Sequence, residues 1–136
     1  MTPRRGAARA EVALADTSVF IALEQERPLA ALPPLNLAVS VVTVGELRLG
    51  VLAAETAHAR VRRLETLLRA EQIEPLPVDG AVARAWAALR LALRDAGHRM
   101  PLNDSWIAAT AIAHRMPVVT QDEDYEDVPG LDVIRL

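Results

Sequence analysis

The chain contains neither cysteine nor lysine. Without a thiol there is no disulfide, no thiolate nucleophile and no cysteine zinc site. Without an amine there is no P-loop lysine, no Schiff base and no lysine nucleophile. Phosphoryl-accepting receivers and phosphatases, which set a lysine beside an acidic magnesium pocket, are disfavoured for the same reason. The three histidines, His58, His98 and His114, are not spaced as a zinc pair on a helix face. No apolar run approaches the roughly 18–20 residues that span a bilayer, so no membrane association is expected. Residues 1–10 hold Arg4, Arg5 and Arg9 but no apolar stretch of signal-peptide length. They read as a mobile Arg-rich leader on a cytoplasmic protein.

What is present suits one domain, expected over residues 11–136. The 136 residues are 51% hydrophobic, enough for a sizeable core. The net charge is −3 with every basic residue an arginine. Proteins that coat nucleic acid are usually basic, because neutralising phosphates dominates their affinity. A role on nucleic acid therefore requires the negative charge to be concentrated at one site, with arginines elsewhere.

Strand and helix patterns alternate along the chain. Val12-Ala13-Leu14-Ala15 reads as a short strand, Asp16-Thr17-Ser18 as a choice of helix caps, and Val19 to Glu24 as helix. Pro28 and Pro33-Pro34 then break the chain. Leu37 to Ser40 reads as a second short strand, with Ser40 or Thr43 capping a helix to about Ala54. Residues 56–71 have apolar positions at helical spacing, Val61, Leu64, Leu67 and Leu68, among Arg60, Arg62, Arg63 and Arg69. Residues 73–78 read as a loop leading into a short edge strand. Asp79 can cap a helix with the stripe Val82, Trp86, Leu89, Ala92 and Leu93, which Gly97 ends. Ser105 to Arg115 reads as a further helix, Pro117 to Thr120 as a buried-type strand, residues 122–127 as an acidic loop, and Leu131 to Leu136 as a closing strand. Such alternation predicts an α/β fold, a parallel sheet sandwiched between helices.

In open parallel sheets, sites form beyond the carboxyl ends of the strands. Asp16 follows the first strand, Asp122 and Asp124 follow the Val118 strand, and Asp104 stands at a helix start. Each has an ordinary reading: Asp16 as an N-cap, Asp104 as a carboxylate favoured by the helix dipole, and the 122–127 run as a solvated loop. Glu46 is harder to place so simply. Its neighbours on the helix surface are Val42, Leu49, Gly50 and Ala53, an apolar face, and a carboxylate aimed into a core is costly unless paired or bound to a cation. Its ordinary reading is a solvent-exposed Glu on a mixed helix, since Val44 and Val51 make the opposite face apolar too. Asp104 shares its face with Ile107, Ala108 and Ala111. Should these carboxylates converge, they cannot all ionise without a cation, and oxygen donors suit magnesium or manganese.

Four segments carry a family resemblance: Leu14-Ala15-Asp16-Thr17-Ser18-Val19-Phe20-Ile21-Ala22, Val41-Val42-Thr43-Val44-Gly45-Glu46-Leu47, Asn103-Asp104-Ser105-Trp106-Ile107-Ala108-Ala109-Thr110-Ala111 and Val119-Thr120-Gln121-Asp122-Glu123-Asp124-Tyr125. In this order and at about these separations, the chain resembles the PIN-domain nucleases, specifically the VapC toxins of bacterial VapBC toxin–antitoxin pairs, from about Val12 onward. The resemblance implies a three-layer α/β/α sandwich with a central parallel sheet. It implies a catalytic and metal-binding set of Asp16, Glu46, Asp104 and Asp122, supported by Thr17, Ser18, Thr120 and Asp124, with Mg2+ or Mn2+ as cofactor. In this reading Asp16, Asp104 and Asp122 hold metal directly or through water, and Glu46 holds a second ion or positions the attacking water. The implied activity is cleavage of structured RNA, transfer or ribosomal, with arrest of translation. The implied partners are a VapB-like antitoxin and a second copy of the chain, to whose interfaces Trp86, Trp106 and the apolar side of residues 56–71 are candidate contributors. For Trp86 plain core packing is the favoured reading. Arg60, Arg62, Arg63 and Arg69 are candidates for RNA phosphate contacts, or else a solvated helix face. Two alternatives stay open: a catalytically silent module of this fold that works by protein binding, and a nuclease directed at DNA.

Overall fold

The computed structural model describes residues 12–26 and 36–136. The expected leader and the breaks at Pro28 and Pro33-Pro34 lie outside the described residues. Four short strands, β1 (Val12–Ala15), β2 (Asn36–Ala38), β3 (Val118–Thr120) and β4 (Val133–Arg135), form one sheet in the order β2-β1-β3-β4. Every pairing is parallel, as the alternation of strand and helix predicts. Among the described residues five α-helices lie between β1 and β3: α1 (Thr17–Glu24), α2 (Val41–Leu52), α3 (Ala57–Ala70), α4 (Gly80–Ala96) and α5 (Leu102–Ala113).

Side-chain alternation along the central strands sorts the core into two layers. Leu14 and Val118 face α4 and α5, where they pack with Leu89, Leu93, Ile107, Ala108 and Ala111. Ala13, Ala15 and Val119 face the other way, against Val19, Phe20, Leu47, Leu67 and Ala70 from α1, α2 and α3. The result is a three-layer α/β/α sandwich. The strands are apolar on both faces because both faces are covered, the usual state of a parallel sheet. Trp86 and Trp106 stack across the α4–α5 contact, with ring centroids 4.3 Å apart and planes 4° from parallel. The Trp86 indole donates to Ser105 Oγ at 3.0 Å.

Helix starts follow local chemistry. Asp16, Ser40, Thr56 and Asp79 each cap a helix by accepting a backbone N–H. Two expectations shift. The helix expected from Ser105 begins at Leu102, after Pro101, so Asp104 stands in its first turn. The edge strand expected within residues 73–78 is one isolated bridge, Ser40 to Leu76. Leu76 makes the bridge alone, donating to Val39 O and accepting from Val41 N–H, and Pro75 and Pro77 beside it have no N–H to offer a strand on the other edge.

Gly97 closes α4 with φ +68°, and a Cβ there would meet nothing within 4 Å. Gly97→Ala should therefore cost only the left-handed backbone penalty, about 1–2 kcal/mol, seen as a lower urea midpoint with an unchanged m-value. An unaltered midpoint would show that the turn does not depend on glycine.

Candidate metal centre

The strand order reverses between β1 and β3, and such a switch point is where an open parallel sheet places a crevice, outside its carboxyl ends. The acids gather there. Asp16 follows β1, and its own N–H remains bonded to Val119 O at 3.0 Å, which fixes it beside the end of β3. Its carboxylate is almost fully buried, at 2% exposure. Three donors hold it: Ser18 N–H at 3.2 Å and Thr120 Oγ1 at 2.9 Å on Oδ2, and the Tyr125 hydroxyl at 2.9 Å on Oδ1. Buried carboxylates persist only when satisfied in this way.

Asp122 caps a single 3-10 turn, Glu123–Tyr125, accepting from Asp124 N–H at 2.9 Å while its own N–H donates to Thr120 Oγ1 at 2.8 Å. That turn drives Tyr125 inward, where it is wholly buried, and leaves Asp124 near the crevice. One carboxylate oxygen each from Asp104, Asp122 and Asp124 lies within 4.8 Å of the others. Oxygens sharing one hard cation at roughly 2.1–2.5 Å stand no more than about 4–5 Å apart, so these three donors fit a single divalent ion. Asp16 and Glu46 lie outside that triplet.

The electrostatics agree with the geometry. The helix start favours negative charge at Asp104, yet its carboxyl is pushed up to about 7, first by burial and then by the charges of Asp16, Asp122, Asp124 and Glu46. Asp124 is raised by desolvation and by Asp122 beside it, with His98 acting in the opposite direction. Burial and the charges of Asp16 and Asp104 hold the Tyr125 phenol protonated far above its usual range. Tyr125 is therefore a permanent donor.

Glu46 reaches the same crevice from α2. It is half-buried at the wall of a cavity of about 280 Å³, shared with Thr17 and Arg63, rather than in the core. The apolar face expected around it is largely open, with Leu49 65% exposed. Two donors compensate the carboxylate: Thr17 Oγ1 at 2.6 Å on Oε1 and Asn103 Nδ2 at 3.1 Å on Oε2. Thr43 Oγ1 adjoins Thr17 Oγ1 at 3.0 Å. Ser18 lies 3.2 Å from Thr120 and accepts Gln121 N–H at 2.9 Å, tying α1 to the loop after β3.

The α3 arginines are occupied differently. Arg60 donates to Ala54 O, Arg62 to Glu24 O and Arg63 to Gly50 O, at 2.9, 2.7 and 2.8 Å, so they tie α3 to α1 and to α2 with its following turn. Arg69 lines a surface recess with Glu24, Glu26 and Glu65. Of the four, only Arg63 borders the cavity that contains Glu46. Residue-level reasoning overlooked Tyr125 and Asn103, although both stand inside the motif segments. Their roles depend on partners 109 and 57 residues away, which no local pattern reveals.

The sequence matches the PIN domain family over residues 13–131. It is 52% identical to Ribonuclease VapC4 of Mycobacterium tuberculosis over 129 residues, covering 91% of this chain and 96% of that protein. It is 49% identical to Ribonuclease VapC5 of the same organism, covering 89% and 93%. The fold superposes with a TM-score of 0.82 on the crystal structure of VapBC-5, a toxin–antitoxin system of Mycobacterium tuberculosis, at 44% identity over 93% of this chain and 99% of that one. The chain belongs to the PIN-domain family, within its VapC branch.

Proposed function

We propose that this protein is a metal-dependent endoribonuclease, the toxin of a VapBC-type pair, which arrests translation in the cytoplasm by cutting structured transfer or ribosomal RNA. One observation carries the reading: three carboxylate oxygens close enough to share an ion, at the sheet's switch point, with Asp16 and Glu46 beside them. Asp104, Asp122 and Asp124 would hold Mg2+ or Mn2+, and Asp16 would complete the site directly or through water. The bound ion supplies charge stabilisation for a phosphodiester and a lowered pKa for water.

The protein's own groups do the rest. Tyr125, Thr120 and the Ser18 N–H hold Asp16 in one orientation. Thr17 and Asn103 aim Glu46 across the crevice, where it accepts the proton of the attacking water. Arg63, on the wall of the Glu46 cavity, is the α3 arginine best placed to meet substrate. Support for an antitoxin partner comes from the relatives solved as VapBC complexes and from exposed apolar residues on two helices that pack together, Val61, Leu64 and Leu68 on α3 and Leu49 and Leu52 on α2. That apolar strip suits a covering segment. A second copy of the chain is the other proposed partner.

Asp104→Asn should abolish the cleavage of total cellular RNA that wild type performs with magnesium or manganese, and chelator should do the same to wild type. RNA and DNA substrates run in parallel separate the two nuclease readings, and undiminished cutting by the variant would overturn the site assignment.

Asp104 also predicts a pH dependence of stability. Its carboxyl binds a proton more tightly folded (about 7) than at its ordinary value of 3.8. The associated stability is complete at low pH and is lost as pH rises from about 4 through about 7. Metal-free Asp104→Asn should therefore melt several degrees above metal-free wild type at pH 8 and converge with it near pH 4. Magnesium should raise the wild-type melting temperature more than the variant's. Equal melting curves across this range would show that Asp104 carries no such strain.

Tyr125→Phe removes a donor to Asp16 and should lower activity or metal affinity roughly 10–100-fold, measured by calorimetric titration with manganese and by initial rates. Leu64→Glu with Leu68→Glu should abolish co-purification with a VapB-type antitoxin while sparing RNA cleavage. Retained co-purification would place the antitoxin elsewhere.

A further inference from the structure

A cleft of about 780 Å³ lies where the end of α4 meets the turn leading into α5, and its wall includes Arg90, Arg94, His98, Arg99 and Asp124. Asp124 belongs to both this cleft and the carboxylate triplet, so the cleft adjoins the candidate metal centre. Three arginines and a histidine face a single acid there, in a chain whose net charge is −3. Such a concentration of one sign beside a concentration of the other is unlike a solvated helix face, where charges of both signs mix.

The cations are largely uncommitted. Among the described residues, no ion pair involves Arg90 or Arg99. Arg94 pairs only with Asp95, its chain neighbour, at 3.4 Å, and both side chains are well exposed. An exposed pair of this kind contributes little and can be exchanged for a phosphate. Arg90 lies over the Trp86 ring, 5.8 Å from its centroid, which orients the guanidinium without neutralising it. By contrast, Arg60, Arg62 and Arg63 on α3 already donate to backbone carbonyls.

We infer that Arg90, Arg94 and Arg99 form the track that binds the RNA backbone on one side of the cut, placing the next phosphate at the acidic centre. The inference rests on the ribonuclease reading and adds to it a direction of approach, along the end of α4 and past Asp124. Guanidiniums in this arrangement read charge and spacing, not base identity, so the track sets affinity and register and leaves sequence choice to other contacts.

The test uses fluorescein-labelled single-stranded RNA and full-length protein carrying Asp104→Asn, so that the RNA survives with magnesium present. Adding Arg90→Gln, Arg94→Gln and Arg99→Gln should weaken binding roughly tenfold or more at 0.1 M NaCl and lower the salt slope by about 2, since each single-strand phosphate contact contributes roughly 0.7. With Asp104 restored, the triple variant should show a raised KM more than a lowered kcat, and the corresponding three lysines should recover most of the loss. Circular dichroism and the melting temperature check that these exposed changes leave the fold intact.

An unchanged affinity and salt slope in the triple variant would overturn the track. So would a loss of slope confined to Arg62→Gln with Arg63→Gln. Failure of lysine to rescue would assign the arginines a structural role against Trp86 and overturn it as well. A wild-type protein that neither binds nor cuts RNA would overturn the ribonuclease reading and the track together, which separates the two failures.

Discussion

Carboxylates brought within a few ångströms of one another repel, and the carboxyl edge of this sheet is built around that cost. Asp104 shows it most directly: burial and four neighbouring acids push its carboxyl to about 7, despite the favourable helix start beneath it. Nothing in core packing requires five acids at this edge. Packing alone would be served better by apolar residues, since unpaired buried charge is destabilising. The arrangement is sustained by hydrogen-bond donors on some acids and by geometry suited to a cation on others.

The acids divide accordingly. Asp16 and Glu46 accept hydrogen bonds from protein groups on both of their oxygens. Asp104, Asp122 and Asp124 turn oxygens toward one another. A hydroxyl that cannot ionise is valuable in such a place. Tyr125, fully buried between Asp16 and Asp104, donates at all accessible pH values. Thr120 serves two acids at once, donating to Asp16 and accepting from the Asp122 N–H. The end of β3 thereby couples the residue after β1 to the turn that carries Asp122 and Asp124.

The polarity of the surface follows from the same concentration of charge. A net charge of −3 is modest, but most of its meaning is local. The crevice is negative, while the cleft beside it is lined by Arg90, Arg94, His98 and Arg99. A polyanion can thus be drawn to one wall of the crevice although the protein as a whole is weakly acidic. The α3 arginines, equally prominent in the sequence, instead tie helices together through carbonyl contacts.

The sequence by itself determined whatever depends on near neighbours. Caps at Asp16, Thr56 and Asp79, the stop at Gly97 and the apolar strands that require cover on both faces are all set by residues within a few positions of one another. The α/β class and the positions of Asp16, Glu46, Asp104 and Asp122 beyond strand ends or on helices were legible for that reason. Only the tertiary structure decided which distant groups meet. The Tyr125 hydroxyl on Asp16 and the Asn103 amide on Glu46 join residues 109 and 57 positions apart. Whether an arginine faces solvent or a carbonyl, and whether the face around Glu46 is core or cavity wall, also depends on how helices from separate segments pack. A hydrogen bond acts over about 3 Å, and only folding brings such remote residues within that distance.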